Sequence, residues 1–212
     1  SIETLLERLK NGQLVARSVD LASGRVSLLE SEGVIELQIS NAGLIKTFGP
    51  AWQLLVIGDG QLARHLATMA QQLDYRVTIC DPRDAYEATA APAGIRQSRE
   101  MPDEAVQAMA DQARTAIVTL AHDPRQDDLA LVAALESQAF YIGALGSTRT
   151  ARMRRERLQS LGFSPQQIAR IHGPAGLPIG SKRPAEIAVS ILAEITAIRN
   201  GITEHGQAAV AS

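Results

Sequence analysis

The chain contains little cysteine, little excess charge and no long apolar segment. A single cysteine, Cys80, excludes an internal disulfide and a multi-cysteine metal site, which suits a reducing compartment. A net charge of −2 excludes the broad basic surface that holds nucleic acid or an anionic membrane. No apolar run approaches the roughly 18 residues that a membrane span requires. These absences predict a cytoplasmic protein with neither a nucleic-acid partner nor a membrane span.

Metal-binding motifs are also missing, because the sequence has neither HExxH nor a cluster of metal-ligating side chains. It does have enough apolar residues for a core, since 45% of its 212 residues are hydrophobic. A chain of this size can bury one full core and a small appendage. We therefore expect one large domain with an extra N-terminal piece.

Residues 58–63, GDGQLA, directly follow the apolar run of residues 53–57 and match the pattern GxGxxG/A. In this context Gly58 permits a tight turn, Gly60 lets the backbone approach a pyrophosphate, and Ala63 lets the next helix pack closely on the strand. Phosphates bound here would meet the positive N-terminal end of that helix. Asp59 places a carboxylate between the glycines, where it would repel a pyrophosphate unless it is turned away.

A second strand, residues 76–80, ends at Asp81, roughly 20 residues beyond the glycines, where a Rossmann carboxylate accepts hydrogen bonds from ribose hydroxyls. Strand-like and helical segments then alternate, with strands at 94–97, 116–120 and 139–142 and helices at 102–110, at 127–136 and from Pro184. This alternation predicts an α/β protein with a Rossmann-like, doubly wound parallel sheet of strand order 3-2-1-4-5. From the residues alone, two alternatives are equal: dinucleotide binding, or a domain that keeps the turn for packing and binds another ligand in the same crevice.

Residues 1–49 predict a small N-terminal antiparallel β appendage. A short helix precedes strand-like runs at 14–19, 25–29 and 34–39, which are separated by small and polar residues. Gly49 and Pro50 then mark the boundary with the Rossmann-like domain, residues 50–212.

Ligands of such sheets bind at the carboxyl ends of the strands, where several candidate residues lie. His122 and Asp123 directly follow one strand, and together with Asp127 they can supply a base or a ligand site. Acids at this position are also typical of a helix N-terminus, where they favour the dipole. Gly146 and Ser147 mark a second turn from strand to helix, and hence a second potential anion cradle. The arginines of that helix, within residues 149–157, predict a solvated face.

The segment 171–180, IHGPAGLPIG, is long and apolar for a simple connection. With His172 and Gly176 it is a candidate for a rigid binding loop ahead of the last helix. On that helix, Glu194 lies just off the buried stripe, so we expect a solvated or salt-bridged carboxylate. We expect Cys80 to be a small buried hydrophobic residue rather than a reactive thiol.

The segments LLVIGDGQLARHLA, VTICDPR, LAHDPRQDD, FYIGALGS and IHGPAGLPIGSKRPAEIAVSILAEITAIRNG together resemble the C-terminal domain of the XdhC/CoxI family, over residues 50 to 203. Members of that family are accessory factors of xanthine dehydrogenase and carbon monoxide dehydrogenase. The resemblance implies a protein that binds the molybdenum cofactor and supports exchange of an oxo for a sulfido ligand by a cysteine desulfurase. It would then pass the cofactor to a xanthine dehydrogenase-type molybdenum hydroxylase, as a maturation chaperone rather than a turnover enzyme, and we expect a homodimer.

The implied ligand is the molybdenum cofactor, as molybdopterin or a dinucleotide form, with NAD(P) as the alternative. The residues that the resemblance places at the cofactor are Gly58, Gly60, Gln61, Asp81, Arg83, His122, Asp123, Asp127, Gly146, Ser147, His172, Gly176 and Glu186. We expect the glycine turns at Gly58 and Gly146 to lie side by side and to hold the anionic part of the ligand. The competing hypotheses are a regulatory nucleotide-binding module and an NAD-dependent oxidoreductase in which His122 or His172 handles a proton.

The chain departs from the family pattern in three places. In the glycine turn, Asp59 stands where the family usually has alanine and Gln61 where it often has histidine, and Ala175 and Pro178 alter the late loop. The N-terminal signatures GSxPRxxG and glycine-glycine-cysteine are missing, so residues 1–49 resemble only the tail of the family's N-terminal domain. We expect either a fragment or a split protein whose other half is a separate polypeptide.

Overall fold

The computed structural model describes residues 2–10, 13–30, 37–49, 51–83, 92–109, 112–121, 123–203 and 207–208. The chain divides into two compact units, one of residues 52–198 and the other of residues 1–51 together with 199–212. Within the described ranges, no helix has the length and apolar composition needed to cross a membrane. In the same ranges, no group of three His, Cys, Asp or Glu side chains is placed to hold a metal ion.

The smaller unit contains a four-stranded antiparallel sheet. A helix, α1 (Ile2–Lys10), precedes the strands β1 (Val15–Asp20), β2 (Val26–Glu30), β3 (Leu37–Ile39) and β4 (Gly43–Phe48), which lie in the order β2-β1-β4-β3. The first three strands overlap the predicted runs, although residues 34–36 fall outside the described ranges. The sequence prediction misses β4, because its apolar Leu44 and Ile45 lie on opposite faces and leave no clear alternation.

The larger unit is a parallel sheet flanked by helices. Its strands are β5 (Gln53–Ile57), β6 (Arg76–Cys80), β7 (Arg96–Ser98), β8 (Thr115–Thr119), β9 (Tyr141–Ala144) and β10 (Ile171–His172). The helices are α2 (Gln61–Gln71), α3 (Pro102–Gln107), α4 (Pro124–Glu136), α5 (Thr148–Ser160), α6 (Pro165–Ile168) and α7 (Pro184–Arg199), with a 3₁₀ turn at Gln112–Arg114. The pair formed by β11 (Ile202–Thr203) and β12 (Gln207–Ala208) belongs to the smaller unit.

The strand order of the larger sheet is β10-β9-β8-β5-β6-β7, and all neighbours are parallel. Counted from β5 as the first strand, this order is 3-2-1-4-5-6, which confirms the predicted order and adds a sixth strand. That strand, β10, pairs His172 with Gly143 of β9. The sequence prediction misses it, because two residues followed by glycine and proline have the composition of a loop.

Both faces of this sheet are buried, as is usual for parallel strands that carry helices. Successive side chains of β5, from Leu54 to Ile57, are fully buried. One core joins α3, α4 and α5 to the sheet and includes Leu131 and Leu158, while α2 contacts β5 and β6. Because the faces are covered, the strand ends remain as the place for a ligand, and the carboxyl ends of parallel strands lie at one edge.

Candidate functional site

The turn from β5 to α2 passes close to the loop that follows β8. Gly58 has a φ of +99°, and a Cβ added to it would lie 2.9 Å from the Cα of Ala121. Any larger residue would meet both backbone strain and backbone atoms, so this position requires glycine. This is the tight turn that the sequence motif predicts.

The N-terminus of α2 has no cap from a described side chain. Gly60 is its N-cap residue, with a φ of −109° and a ψ of −179°, and Gln61, the first helical residue, is exposed. By contrast, Asp123 and Ser147 cap α4 and α5 with side-chain oxygens. The first N–H groups of α2 and its dipole therefore favour an anion at this position.

Asp59 is buried and paired with Arg64, which lies in the first turn of α2. The Nε and Nη2 atoms of Arg64 donate to its two carboxylate oxygens, each at 2.9 Å, and Gln97 donates to one of them at 3.4 Å. Only 4% of the Asp59 side chain is exposed. This two-fold pairing neutralises the carboxylate that the sequence places between the glycines. The structure thus favours an Asp59 that is withdrawn from the ligand side.

Asp81, at the end of β6, uses both of its oxygens within the protein. It accepts hydrogen bonds from the backbone N–H, Nε and Nη2 of Arg83 at 3.1, 2.9 and 2.7 Å. It also accepts the N–H of Asp59 at 2.9 Å. Burial alone would raise the pKa of Asp81, but these hydrogen bonds outweigh burial and hold the pKa below its usual value. Two residues predicted to contact the ligand, Asp81 and Arg83, are therefore partners of each other.

The loop after β8 carries three predicted site residues, and they fall in different places. His122 lies outside the described residues. Asp123 is the N-cap of α4, where its Oδ1 accepts the N–H of Arg125 at 3.0 Å. Because α4 begins at Pro124 and not at the predicted residue 127, Asp127 lies within the first turn and is buried.

Asp127 belongs to a buried polar network that joins two loops. Its Oδ1 accepts the N–H of Ala121 at 3.1 Å, and its Oδ2 lies 3.4 Å from Nη2 of Arg154. The same Arg154 nitrogen donates to the carbonyl oxygen of Leu145 at 3.1 Å. Burial raises the pKa of Asp127 to about 6, although Arg154 opposes the shift. The predicted solvated face is wrong for Arg154, which is only 4% exposed.

The turn after β9 is partly occupied by the protein's own hydrogen bonds. Ser147 caps α5, and its Oγ accepts the N–H of Thr150 at 3.1 Å. A Cβ at Gly146 would lie 3.1 Å from the Cβ of Thr150. Because β8 separates β5 from β9, the strands that carry Gly58 and Gly146 are about 10 Å apart. The expectation that the two turns lie side by side is therefore wrong: they flank the end of β8.

One carboxylate, that of Glu194 in α7, holds the segment after β10. Its Oε2 accepts the Tyr141 hydroxyl at 2.5 Å and the Gly176 N–H at 2.8 Å. Its Oε1 lies 3.4 Å from Nδ1 of His172. Burial alone would raise the pKa of Glu194, but His172, Tyr141 and Gly176 together hold the pKa below its usual value. The sequence predicts His172 and Gly176 as site residues, and it predicts Glu194 only as a solvated or salt-bridged carboxylate. The contact between Tyr141 and Glu194 is not predicted, since partners 53 residues apart leave no spacing signal.

Glu186 and Cys80 have local roles. Glu186 accepts hydrogen bonds from the N–H groups of Lys182 and Arg183 at 3.0 and 3.1 Å, and so holds the start of α7.

Cys80 is fully buried, which confirms the expected small buried residue. Burial raises the pKa of its thiol to about 11, and the negative charges of Glu100 and Asp81 add to the shift.

Comparison with known proteins agrees with this architecture. A family model described as the XdhC Rossmann domain matches residues 54–195. The chain belongs to this family. The match runs from β5 into α7, so the matched region contains the glycine turn and also Glu194 with its partners Tyr141, His172 and Gly176. This match confirms the resemblance found in the sequence.

Relatives of this XdhC Rossmann domain include two longer bacterial proteins. The molybdenum cofactor insertion chaperone PaoD of Escherichia coli (strain K12) is 38% identical over 85 residues, which cover 40% of this chain and 27% of PaoD. A probable component of xanthine dehydrogenase from Bacillus subtilis (strain 168) is 28% identical over 159 residues, or 74% of this chain and 46% of that protein. The aligned part of this chain thus spans less than half the length of either relative.

A solved structure supports the fold. The crystal structure of a xanthine dehydrogenase from Bacillus halodurans superposes with a TM-score of 0.71 at 19% identity. The superposition covers 97% of this chain and 66% of that one. At this level of identity, the likeness shows that the XdhC Rossmann domain shares the fold of that protein.

Proposed function

We propose that this chain takes part in the maturation of a xanthine dehydrogenase-type molybdenum hydroxylase by binding the molybdenum cofactor at the carboxyl edge of its sheet. The observation that carries the proposal is the N-terminus of α2, which no described side chain caps, beside the turn at Gly58. The phosphate of molybdopterin, or the pyrophosphate of a dinucleotide form, is an anion that suits such a helix end. The exposed amide of Gln61 would add a hydrogen-bond donor there.

The charges around the turn are compatible with an anion. Asp59 is paired with Arg64, and Asp81 with Arg83, so the formal charges of these four side chains sum to zero. The dipole of α2 then remains as the local positive feature. This pairing explains how a chain with Asp59 in place of the family's usual alanine would keep an anion site.

NAD(P) is the alternative ligand, and the state of Asp81 bears on it. Both carboxylate oxygens already accept hydrogen bonds from Arg83 and from the N–H of Asp59. A ribose would have to displace Arg83 before its hydroxyls reached Asp81. This supports the molybdenum cofactor over NAD(P) as the ligand.

The proposal includes sulfuration of the bound cofactor by a cysteine desulfurase. Sulfur would pass directly to the cofactor, because Cys80 is fully buried and its pKa of about 11 makes it a poor carrier. The chain would hold and transfer the cofactor as a chaperone, rather than act as a turnover enzyme. We further propose that it works as a homodimer in the cytoplasm, with the turn at Gly146 and the imidazole of His172 contacting other parts of the cofactor.

Reconstitution of an apo-hydroxylase tests this function. The apo-enzyme is incubated with extracted molybdenum cofactor in the presence or absence of the chain, and hydroxylase activity is followed over time. We expect the chain to speed the recovery of activity and to capture the hydroxylase in a pulldown, and Cys80→Ala to behave like the wild type. NAD-dependent hydride transfer by the chain alone, or capture experiments without any molybdenum hydroxylase, would contradict the proposal.

A further inference from the structure

The imidazole of His172 is held on two sides by residues from other elements. The ring of Tyr141 stacks on it, with the ring centres 4.8 Å apart and the planes inclined by 21°. Nδ1 lies 3.4 Å from Oε1 of Glu194. These two contacts fix both the plane of the imidazole and the nitrogen that faces the carboxylate.

The carboxylate of Glu194 is itself fixed in place. The Tyr141 hydroxyl and the Gly176 N–H both donate to Oε2, at 2.5 and 2.8 Å. This leaves Oε1 for His172, and 16% of the Glu194 side chain is exposed. A half-buried carboxylate with two neutral donors keeps its negative charge, and its second oxygen lies nearest the ring nitrogen.

Two glycines make room for this cluster. A Cβ at Gly143 would lie 2.6 Å from Cε1 of Tyr141, so any side chain there would push the ring off the imidazole. A Cβ at Gly176 would collide with Oγ of Ser190, which donates to the carbonyl oxygen of Leu177 at 2.7 Å. Glycine at both positions allows the strand and the loop to pack against this cluster.

The other ring nitrogen of His172 is open. An imidazole that carries its proton on Nδ1, the nitrogen 3.4 Å from Oε1 of Glu194, would have its lone pair on Nε2, which has no hydrogen-bond partner among the described residues. The His172 side chain is 34% exposed, and His172 is the last residue of β10, at the carboxyl end of that strand. The geometry therefore offers a lone pair of fixed direction to a group that carries a proton.

We propose that His172 is a proton acceptor for a hydroxyl or thiol group of a bound ligand, and that Glu194 and Tyr141 are its positioning residues. In this step the O–H or S–H bond of the ligand breaks, the ligand keeps the electron pair, and the proton forms an N–H bond at Nε2. The charge of the resulting imidazolium is balanced by Glu194. The proton then returns to water from the exposed side of the ring. This role goes beyond cofactor binding and is tested on the free protein.

Nitrogen-15 NMR and acylation test the proposal. In the wild-type protein, the spectrum of His172 should show a protonated Nδ1 and an unprotonated Nε2, which is the tautomer that free histidine disfavours. Diethyl pyrocarbonate, which acylates an open ring nitrogen, should modify His172 in the folded protein, as mapped by mass spectrometry against the partly exposed His65. Glu194→Gln should slow this acylation roughly tenfold, because the charged partner is lost, and Tyr141→Phe roughly twofold.

Two control variants separate positioning from loop stability. Ser190→Ala removes a hydrogen bond that holds the same loop without touching the imidazole, and Thr196→Ala removes a side-chain hydrogen bond within α7, to the carbonyl oxygen of Leu192. Both should leave the tautomer and the acylation rate of His172 unchanged, and circular dichroism confirms that each variant is folded. The proposal is overturned if wild-type His172 holds its proton on Nε2, or resists acylation while His65 reacts. It is also overturned if Ser190→Ala slows the reaction as much as Glu194→Gln does.

Discussion

The two ends of the carboxyl edge are built in different ways. At β5 and β6 the site consists of a glycine turn and of acids paired with arginines two and five residues away along the chain. At β9 and β10 it consists of Tyr141, His172 and Glu194, which come from three separate elements. The first end is a property of the local chain. The second exists only when the sheet and α7 have packed.

The difference is also chemical. The first end presents backbone N–H groups and neutralised carboxylates, an arrangement that holds an anion without side-chain chemistry. The second presents one open ring nitrogen, backed by a carboxylate. The two proposals therefore place ligand binding and proton exchange at opposite ends of one edge, and each end can be disrupted separately.

Gly58→Ala should give the largest effect, because the first end depends on backbone geometry. The new Cβ would meet backbone atoms of Ala121 at 2.9 Å, at a φ of +99°. We expect the free energy of unfolding, measured by urea denaturation, to fall by roughly 3 to 5 kcal/mol. Gly162→Ala is the matched control, with a φ of +94° and no atom within 4 Å, and should lose roughly 1 to 2 kcal/mol. If the two variants lose the same unfolding free energy, the close approach of Gly58 to Ala121 does not contribute to the effect.

Glu194→Ala should give the next largest effect and tests how far the second end depends on one side chain. It leaves the Tyr141 hydroxyl and the Gly176 N–H without their acceptor. We expect the free energy of unfolding to fall by roughly 2 to 4 kcal/mol, against about 1 kcal/mol for Tyr141→Phe. If the two variants lose the same amount in denaturant titrations, Glu194 does not organise this end.

Asp127→Asn addresses the loop between the two ends through its pH dependence. The folded pKa of about 6 lies above the ordinary 3.8, so the folded protein binds the extra proton between these values. The contribution of Asp127 to the free energy of unfolding is therefore largest below pH 3.8. It falls as the pH rises from 3.8 to 6, and it does not change further above pH 6. The Asn variant lacks this loss, so its stability relative to the wild type should rise by roughly 2 to 3 kcal/mol over that window. Urea titrations at several pH values measure this difference. If Asp127 has an ordinary pKa, the difference in unfolding free energy between the variant and the wild type will not change with pH.

The smallest effect is expected at Cys80, which lies beside Asp81 at the first end. Its thiol is fully buried and has a pKa of about 11, so iodoacetamide should leave the native protein unmodified at about pH 7.5. The same reagent should alkylate Cys80 completely in urea. Native alkylation at the rate of a free thiol, measured by intact mass, would mean that this end opens to solvent.

The first end is also the part that sequence predicts well. The strand, the glycines, the helix stripe and Asp81 follow one another, so their spacing alone indicates a Rossmann turn and the order of five strands. Asp59 is the exception, because only the packed structure shows that Arg64 neutralises it. At the glycine turn, the backbone conformation follows from the local sequence, whereas the net charge of the site depends on contacts between side chains.

The second end is where sequence analysis falls short. Tyr141 and Glu194 are 53 residues apart, and each alone has an ordinary interpretation as a strand aromatic or a helix surface acid. Arg154 is similar: on an arginine-rich helix nothing distinguishes the one arginine that enters the core beside Asp127. β10 is hidden for the same reason, since a two-residue strand is defined by its neighbour β9 and not by its own pattern.

Calorimetric titration of Gly60→Asp and Gly60→Asn with extracted molybdenum cofactor is the most direct test of the claim that α2 holds the anionic part of that ligand. The extended backbone of Gly60 accepts either residue, and either can cap α2, so the two variants differ in charge. We predict that Gly60→Asp binds the cofactor roughly tenfold or more weakly than Gly60→Asn does. We also predict that NAD does not displace the cofactor from the wild-type protein. Equal affinities for the two variants and the wild type would contradict the account.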